Sequence, residues 1–553
     1  MIKNPILKGF HPDPSIIRVG DDYYIATSTF EWWPGVRLHH STDLKNWELI
    51  EYPLNRISLL DLRGVMPSGG IWAPCLTYND GTFYLVYTVV RSFYCNMYDT
   101  ENFLVTAKNI HGPWSAPVPL NNFGFDPSLF HDDDGRKYLV SMVTDHRVPK
   151  KYAGRIVLQE YDPEEKVMIG KAKDIYTAEN IFLEGPHIFK RNGYYYLFCA
   201  DTGTGELHGQ SVLRAKSITG PYEMKKDKPE RWKQGEAYSI MTSRNFPEIR
   251  LQKSGHGDLV ETQNGDWYMV HLCSSPSSGQ NPQSAERFKG ARRYMTGRET
   301  AIQRIIWEND WPCLFDESKQ VITSVPQNEI MEPKGLKPMQ TVSIMQRDDF
   351  NDKTLNLDYQ SLRVPMDERY ISLLERPGWL RMYGRSGLAS LFSQSLIARR
   401  MTSYHMSAET GIDFEPEVFK QMAGLIFLYD TENYLYLHVT HDEDLGKCIA
   451  LLKYENKKTE YLSGFVPIEG NGPLLLKMEL DGINTCFSYK LLEEGENAEF
   501  KTIGPKTDAS FLSDEACNLG WFTGAMIGIC AQDLTGSAKW ADFDYFEVKD
   551  NDL

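Results

Sequence analysis

The sequence predicts an all-β chain: a ring of five similar antiparallel sheets in the first half, then a second β-rich domain. Three observations predict it. A turn followed by an aromatic strand recurs five times before residue 270. Aromatic residues make up 12% of the chain and come with 42 glycines and 29 prolines, whereas long apolar runs of period 3.6 are few. At 553 residues the chain exceeds the size at which one hydrophobic core keeps growing, so two or more domains follow from length alone.

The recurring turns are Gly20-Asp21-Asp22-Tyr23-Tyr24, Asp80-Gly81-Thr82-Phe83-Tyr84, Asp134-Gly135-Arg136-Lys137-Tyr138, Asn192-Gly193-Tyr194-Tyr195-Tyr196 and Asn264-Gly265-Asp266-Trp267-Tyr268. Asn-Gly and Asp-Gly supply the positive φ angles of a tight primed turn, and the aromatics behind them suit a half-buried strand. Each copy therefore reads as a hairpin. The spacing leaves room for a four-stranded sheet per copy, and five such sheets set radially form a five-bladed β-propeller, which protects its strand edges by circular repetition.

Upstream of each turn a small or polar cluster opens a strand that then becomes apolar. The five clusters are Asp13-Pro14-Ser15-Ile16, Ala73-Pro74-Cys75-Leu76, Asp126-Pro127-Ser128-Leu129, Glu184-Gly185-Pro186-His187 and His256-Gly257-Asp258-Leu259. If the blades are equivalent to within about one residue of register, these positions converge on one end of the central axis. Three blades then deliver a carboxylate, one a histidine and one Trp72-Ala73 to a shared concave site.

Asp13 before a proline would by itself be a turn residue. The repeat argues otherwise, because Asp126-Pro127-Ser128 restates the tripeptide in an equivalent place while Ala73 shows that folding does not require an acid there. Glu184 sits in Phe182-Leu183-Glu184-Gly185, among apolar neighbours that raise a carboxyl pKa and suit it to act as a general acid. The bland alternative is a glutamate paired with an arginine. His256 reads equally as a core histidine, a substrate contact or a cation ligand, with an axial role preferred. Phe30, Trp32, Trp33 and Trp72 are core or sugar-stacking residues, and Arg298 in Gly297-Arg298-Glu299-Thr300 is a surface charge or a pocket residue.

The formal net charge of −16 repels polyanions, and no basic stripe marks a nucleic-acid surface. Met1-Ile2-Lys3-Asn4-Pro5 opens no secretory leader, and no segment offers about 18 uninterrupted apolar residues, so neither a membrane span nor a membrane partner is expected and a cytoplasmic location is. The nine cysteines, at 75, 95, 199, 273, 313, 448, 486, 517 and 530, are scattered and odd in number, which predicts reduced core thiols rather than disulfides or a metal cage.

In these residues the chain resembles glycoside hydrolase family 43, specifically its two-domain β-xylosidases, over essentially its whole length. The resemblance also rests on Asn4-Pro5-Ile6-Leu7-Lys8-Gly9-Phe10, Phe30-Glu31-Trp32-Trp33-Pro34-Gly35, Gly69-Gly70-Ile71-Trp72-Ala73-Pro74 and Gly297-Arg298-Glu299-Thr300-Ala301-Ile302-Gln303. It implies a propeller over 1–320, a linker over 321–340 and a lectin-like β-sandwich over 341–553. It implies Asp13 as general base, Glu184 as general acid and Asp126 as the acid that orients Glu184 and tunes its pKa, in an inverting mechanism. Phe30, Trp72, Ala73 and Arg298 would surround the terminal sugar. Phe522, in the Trp521-Phe522-Thr523-Gly524 loop of the second domain, would close the pocket. No cofactor is required for the chemistry, but the resemblance places a calcium or water cluster near a histidine like His256.

The function this implies is release of xylose from the non-reducing end of β-1,4-xylo-oligosaccharides by a homo-oligomeric enzyme. The alternatives are an α-L-arabinofuranosidase and, from another class, a non-catalytic carbohydrate-binding protein. Cys199-Ala200-Asp201 and Tyr294-Met295-Thr296 depart from the usual pattern, and the polar loops 226–250 and 274–293 are expected to shape the pocket rim.

Overall fold

The computed structural model describes residues 1–553 except 95–96, 148–153, 179–180, 226–232, 235–236, 245, 278–291, 343–344, 471, 495–497, 519 and 553. Cys95 and much of the two rim loops therefore lie outside the described residues.

Five antiparallel sheets form the propeller. Their inner strands are Ser15–Val19, Gly70–Asn79, Ser128–His131, Leu183–Arg191 and Gln252–Glu261, each paired to the strand after its turn. The first three blades have four strands; the fourth and fifth sheets extend to six and five. Two turns are tight and left-handed at both central residues, Asp80-Gly81 and Asn192-Gly193. Asp134-Gly135 and Asn264-Gly265 differ. Each sits inside a five-residue connection in which glycine alone has positive φ, because the flanking Asp132 and Thr262 amides bond across the loop to Arg136 and Asp266 carbonyls.

Packing between blades is apolar. Tyr23 and Ile25 of the first blade meet Tyr268, Val270 and Ile302 of the fifth, so the ring closes on a shared core. The chain start reinforces this closure, since Ile2–Lys3 pairs with Glu329–Ile330 and Leu7 bridges Thr300. Val321–Thr323 adds the outermost strand of the fifth blade. The stretch expected as a plain linker thus contributes two short strands to the propeller and its closure.

The second domain packs an eight-stranded sheet on a seven-stranded one. Its strands carry the period of two that a half-buried sheet requires. Along Leu474–Asp481, Leu474, Leu476, Met478 and Leu480 point into the core while Glu479 and Asp481 point to water. The two domains join through backbone: Trp32–Trp33 pairs with Ser361–Leu362, and Arg363 N donates to Glu31 O at 2.9 Å. All eight described cysteines are free, and seven are buried. Among the described residues, no helix is long and apolar enough to cross a membrane.

Candidate active site

The five inner strands reach the axis through one repeated backbone device. Asp13, Ala73, Asp126, Gly185 and His256 all adopt left-handed φ, between 35° and 54°. This conformation is uncommon for residues other than glycine, and its recurrence at equivalent positions turns each chain end toward the same point. The fourth blade differs by one residue. Glycine occupies its left-handed slot because a Cβ at Gly185 would lie 2.5 Å from the His256 ring, and the carboxylate is carried one position earlier, on Glu184.

The three acids line one cavity of about 320 Å³ together with His256, Arg298, Phe30, Trp72 and Phe522. Asp13 is the most heavily partnered. Its Oδ1 accepts from Arg298 Nη1 at 2.7 Å and faces His256 Nδ1 at 3.4 Å, while Oδ2 accepts from Ser28 Oγ at 2.7 Å. Burial alone would raise its pKa, but Arg298, His256 and Ser28 outweigh that and hold the carboxyl well below the usual range.

Asp126 and Glu184 are displaced the other way. Burial raises both, and mutual repulsion among the acids adds to it; Asp126 is the first charge to act on Glu184. Asp126 Oδ2 accepts from Gly185 N at 2.9 Å, so it is tied to the backbone that carries Glu184. Glu184 Oε1 has no hydrogen-bond partner within the protein. His256 is pushed up to about 9: burial opposes its charge, but Asp13, Asp126 and Glu184 together favour it.

Aromatic rings wall the cavity. Trp72 meets Phe522 edge-on at 5.2 Å and Phe30 at 5.8 Å, and Phe30 stacks on Phe522 at 6.1 Å. Phe522 comes from the second domain, and two propeller residues clamp its backbone. Arg298 Nη2 donates to its carbonyl at 3.0 Å, and its amide donates to Ser68 Oγ at 3.1 Å. Ser68 also accepts from Trp72 Nε1 at 2.9 Å through its carbonyl, so one residue fixes two walls.

Ala73 alone among the expected sugar contacts does not line the cavity. Its methyl group offers no polar atom, and its amide is spent on Ser28 Oγ at 2.8 Å, so it supports Asp13 from behind. Sequence reasoning missed Ser28, Ser68, Lys253, Glu206, Asp514 and Glu515. The last four line the side of the cavity shared with the second domain, where Lys253 pairs with Glu515 and lies 3.7 Å from Asp514. The buried Lys253, two residues after Leu251 and just upstream of His256, was the one signal that could have drawn attention.

No three His, Cys, Asp or Glu side chains among the described residues come together as a bound cation would require, and His256 Nδ1 is directed at Asp13.

Comparison with known proteins places this geometry. Residues 2–312 match the model described as Glycosyl hydrolases family 43, and residues 347–549 match that of the β-xylosidase C-terminal concanavalin A-like domain. The chain is 40% identical to a β-xylosidase of Bacillus subtilis over 553 residues, 99% of each chain. It is 43% identical to the xylosidase/arabinosidase 43B of Humicola insolens, covering 99% of this chain and 97% of that one. The crystal structure of a xylan β-1,4-xylosidase from Bacillus halodurans C-125 superposes with a TM-score of 0.91 at 45% identity, covering both chains completely.

Proposed function

The chain belongs to glycosyl hydrolases family 43, and from that premise we propose that it is an inverting, exo-acting β-xylosidase that releases xylose from the non-reducing end of β-1,4-xylo-oligosaccharides. One observation carries the reading: a single cavity holds two buried carboxyls whose pKa values are displaced in opposite directions. Arg298, His256 and Ser28 hold the Asp13 carboxyl below its usual range, whereas burial and the charge of Asp126 raise that of Glu184. A base and an acid ready at the same pH are what single-displacement hydrolysis needs.

In this mechanism Asp13 takes a proton from a water whose oxygen attacks the anomeric carbon. As that bond forms, the bond from the anomeric carbon to the leaving oxygen breaks, and Glu184 gives its proton to that oxygen. The turnover leaves Asp13 protonated and Glu184 ionised, and exchange with solvent restores both. Asp126 acts as a positioning residue: its charge keeps the Glu184 proton in place, and its bond to Gly185 N fixes the backbone beside it. Arg298 and His256 surround Asp13 and present donors to sugar hydroxyls, and Phe30, Trp72 and Phe522 enclose the apolar edge of the ring.

The enclosed volume supports exo action, because about 320 Å³ closed by a second-domain loop suits a terminal sugar rather than a chain passing through. Following the products of xylobiose by proton NMR tests the proposal. The first-formed xylose should be the α anomer; a β anomer would sink inversion, and no release at all would favour a binding protein. A second reading, α-L-arabinofuranosidase activity, is favoured by the dual name of the Humicola relative. Comparing aryl β-xyloside with aryl α-L-arabinofuranoside separates the two.

A further inference from the structure

A second cavity of about 610 Å³ lies between the first blade and the second domain, and it shares no lining residue with the active site. The strand Arg37–Ser41 and the N-terminal segment form one wall; the strand Ser395–Arg400 and residues 356–358 form the other. Its charge is opposite to that of the protein. Arg37, Arg399 and Arg400 stand at its wall, and Lys3, Lys8 and Lys45 also line it, in a chain whose net charge is −16.

The carboxylates nearby neutralise this only in part: Glu48 also lines the crevice, and Lys45 is paired with Glu332 at 2.7 Å. Asp358 is shared by Arg37 at 3.0 Å and Arg399 at 3.6 Å, and Asp550 stands 3.8 Å from Lys8. Among the described residues no carboxylate is within ion-pair distance of Arg400, and Asp358 acts on it only from further away. Arg400 donates to Phe10 O at 2.5 Å and to Gln360 Oε1, both neutral acceptors, and burial and the neighbouring Arg37 drive its pKa down. Donors are also left over: among the described residues Arg37 Nε and Arg400 Nη2 find no hydrogen-bond partner, and neither ring nitrogen of His11, whose pKa burial and Arg37 drive down, finds one. Arg37, Arg400 and His11 are each at most 6% exposed. Buried cations that share too few counter-charges and too few acceptors are costly, and a bound anion offsets both deficits at once. Guanidinium groups match tetrahedral oxyanions through paired, charge-assisted hydrogen bonds.

We propose that this crevice is a binding site for a small tetrahedral oxyanion of the inorganic phosphate type, held by Arg37, Arg399 and Arg400 where the two domains meet. It is a site separate from the sugar pocket. Arg37 and Arg399 already share Asp358 across the domain boundary, and the anion adds a second bridge beside it.

Calorimetric titration of the full chain with inorganic phosphate, at constant ionic strength and with xylose saturating the sugar pocket, tests this. One saturable site per chain is expected, displaced by sulfate and retained in the presence of xylose. Arg399→Met should lower the affinity at least tenfold. Because a buried arginine can matter to folding, a second variant, Lys3→Glu with Lys8→Glu, changes only the rim and should weaken phosphate several-fold while hydrolysis stays unchanged. The proposal is overturned by the absence of saturable binding, by affinities unchanged in both variants, or by loss of the site when xylose is added.

Discussion

Arg298 Nη1 stands 2.7 Å from Asp13 Oδ1, and Nη2 of the same guanidinium donates to the carbonyl of Phe522 at 3.0 Å. One side chain therefore joins the candidate base, in the first blade, to a loop of the second domain that lies 224 residues beyond Arg298 itself. Docking of that domain and ionisation of the base are coupled through a single group.

Removing that group should expose the coupling in the pH profile. With its pKa depressed, Asp13 is ionised over the working range, and activity falls only as pH drops through that low value. Arg298→Met leaves burial to act without its main opponent, so the acidic limb of kcat/KM should move to higher pH. An acidic limb that stays in place would separate Arg298 from the ionisation of Asp13.

Asp126 acts on the other limb. Its charge helps to raise Glu184, and the acid is lost as pH rises through that raised value. Asp126→Asn removes the charge with little change of shape, so the basic limb should move to lower pH, with a lower kcat. A basic limb that does not move would assign it to another group.

Asp13→Ala and Glu184→Ala should each lose roughly 10²–10⁴-fold or more in kcat while the far-ultraviolet circular dichroism is unchanged. The two differ in rescue. An aryl xyloside with a good leaving group needs little protonation and should restore much of the Glu184→Ala rate, but not that of Asp13→Ala. Near-normal xylobiose hydrolysis by either variant would refute the assignment.

Ser68→Ala deletes the hydroxyl that accepts from Phe522 N and leaves the carbonyl that holds Trp72. One such bond is worth about 1 kcal/mol, so kcat/KM should drop roughly fivefold, mostly through KM. A change confined to thermal stability would make Ser68 structural only.

Gly185→Ala tests the one-residue offset in the fourth blade. Its new Cβ would meet the His256 ring at 2.5 Å from a left-handed backbone, and the combined strain should cost on the order of 1–3 kcal/mol, read as a fall in Tm with loss of activity.

Much of the fold and of the site is legible in the sequence because the propeller repeats. Asp13, Asp126, Ala73 and His256 align by residue pattern alone, since the turns and small clusters recur at regular spacing, and in the fold they share one backbone conformation. Glu184 emerges from the same alignment, but the pattern does not explain its offset. The reason is the His256 ring from the neighbouring blade, a contact with no trace in local pattern. The turn residues mark five hairpins, yet loop length and not the Asn-Gly or Asp-Gly dipeptide decides which are tight.

What sequence by itself determined, then, is the five-fold ring, the second β domain and the acids at the axis, because these depend on periodicity and on residue types that repeat. Tertiary structure alone decided the protonation of each acid, the clamp of Ser68 and Arg298 on Phe522, the placing of Ala73 behind the cavity wall and the basic crevice between the domains. Each of those depends on desolvation and on Coulomb interactions between groups that are distant along the chain. Such energies are set by burial and separation in space, and neither is written in the order of residues.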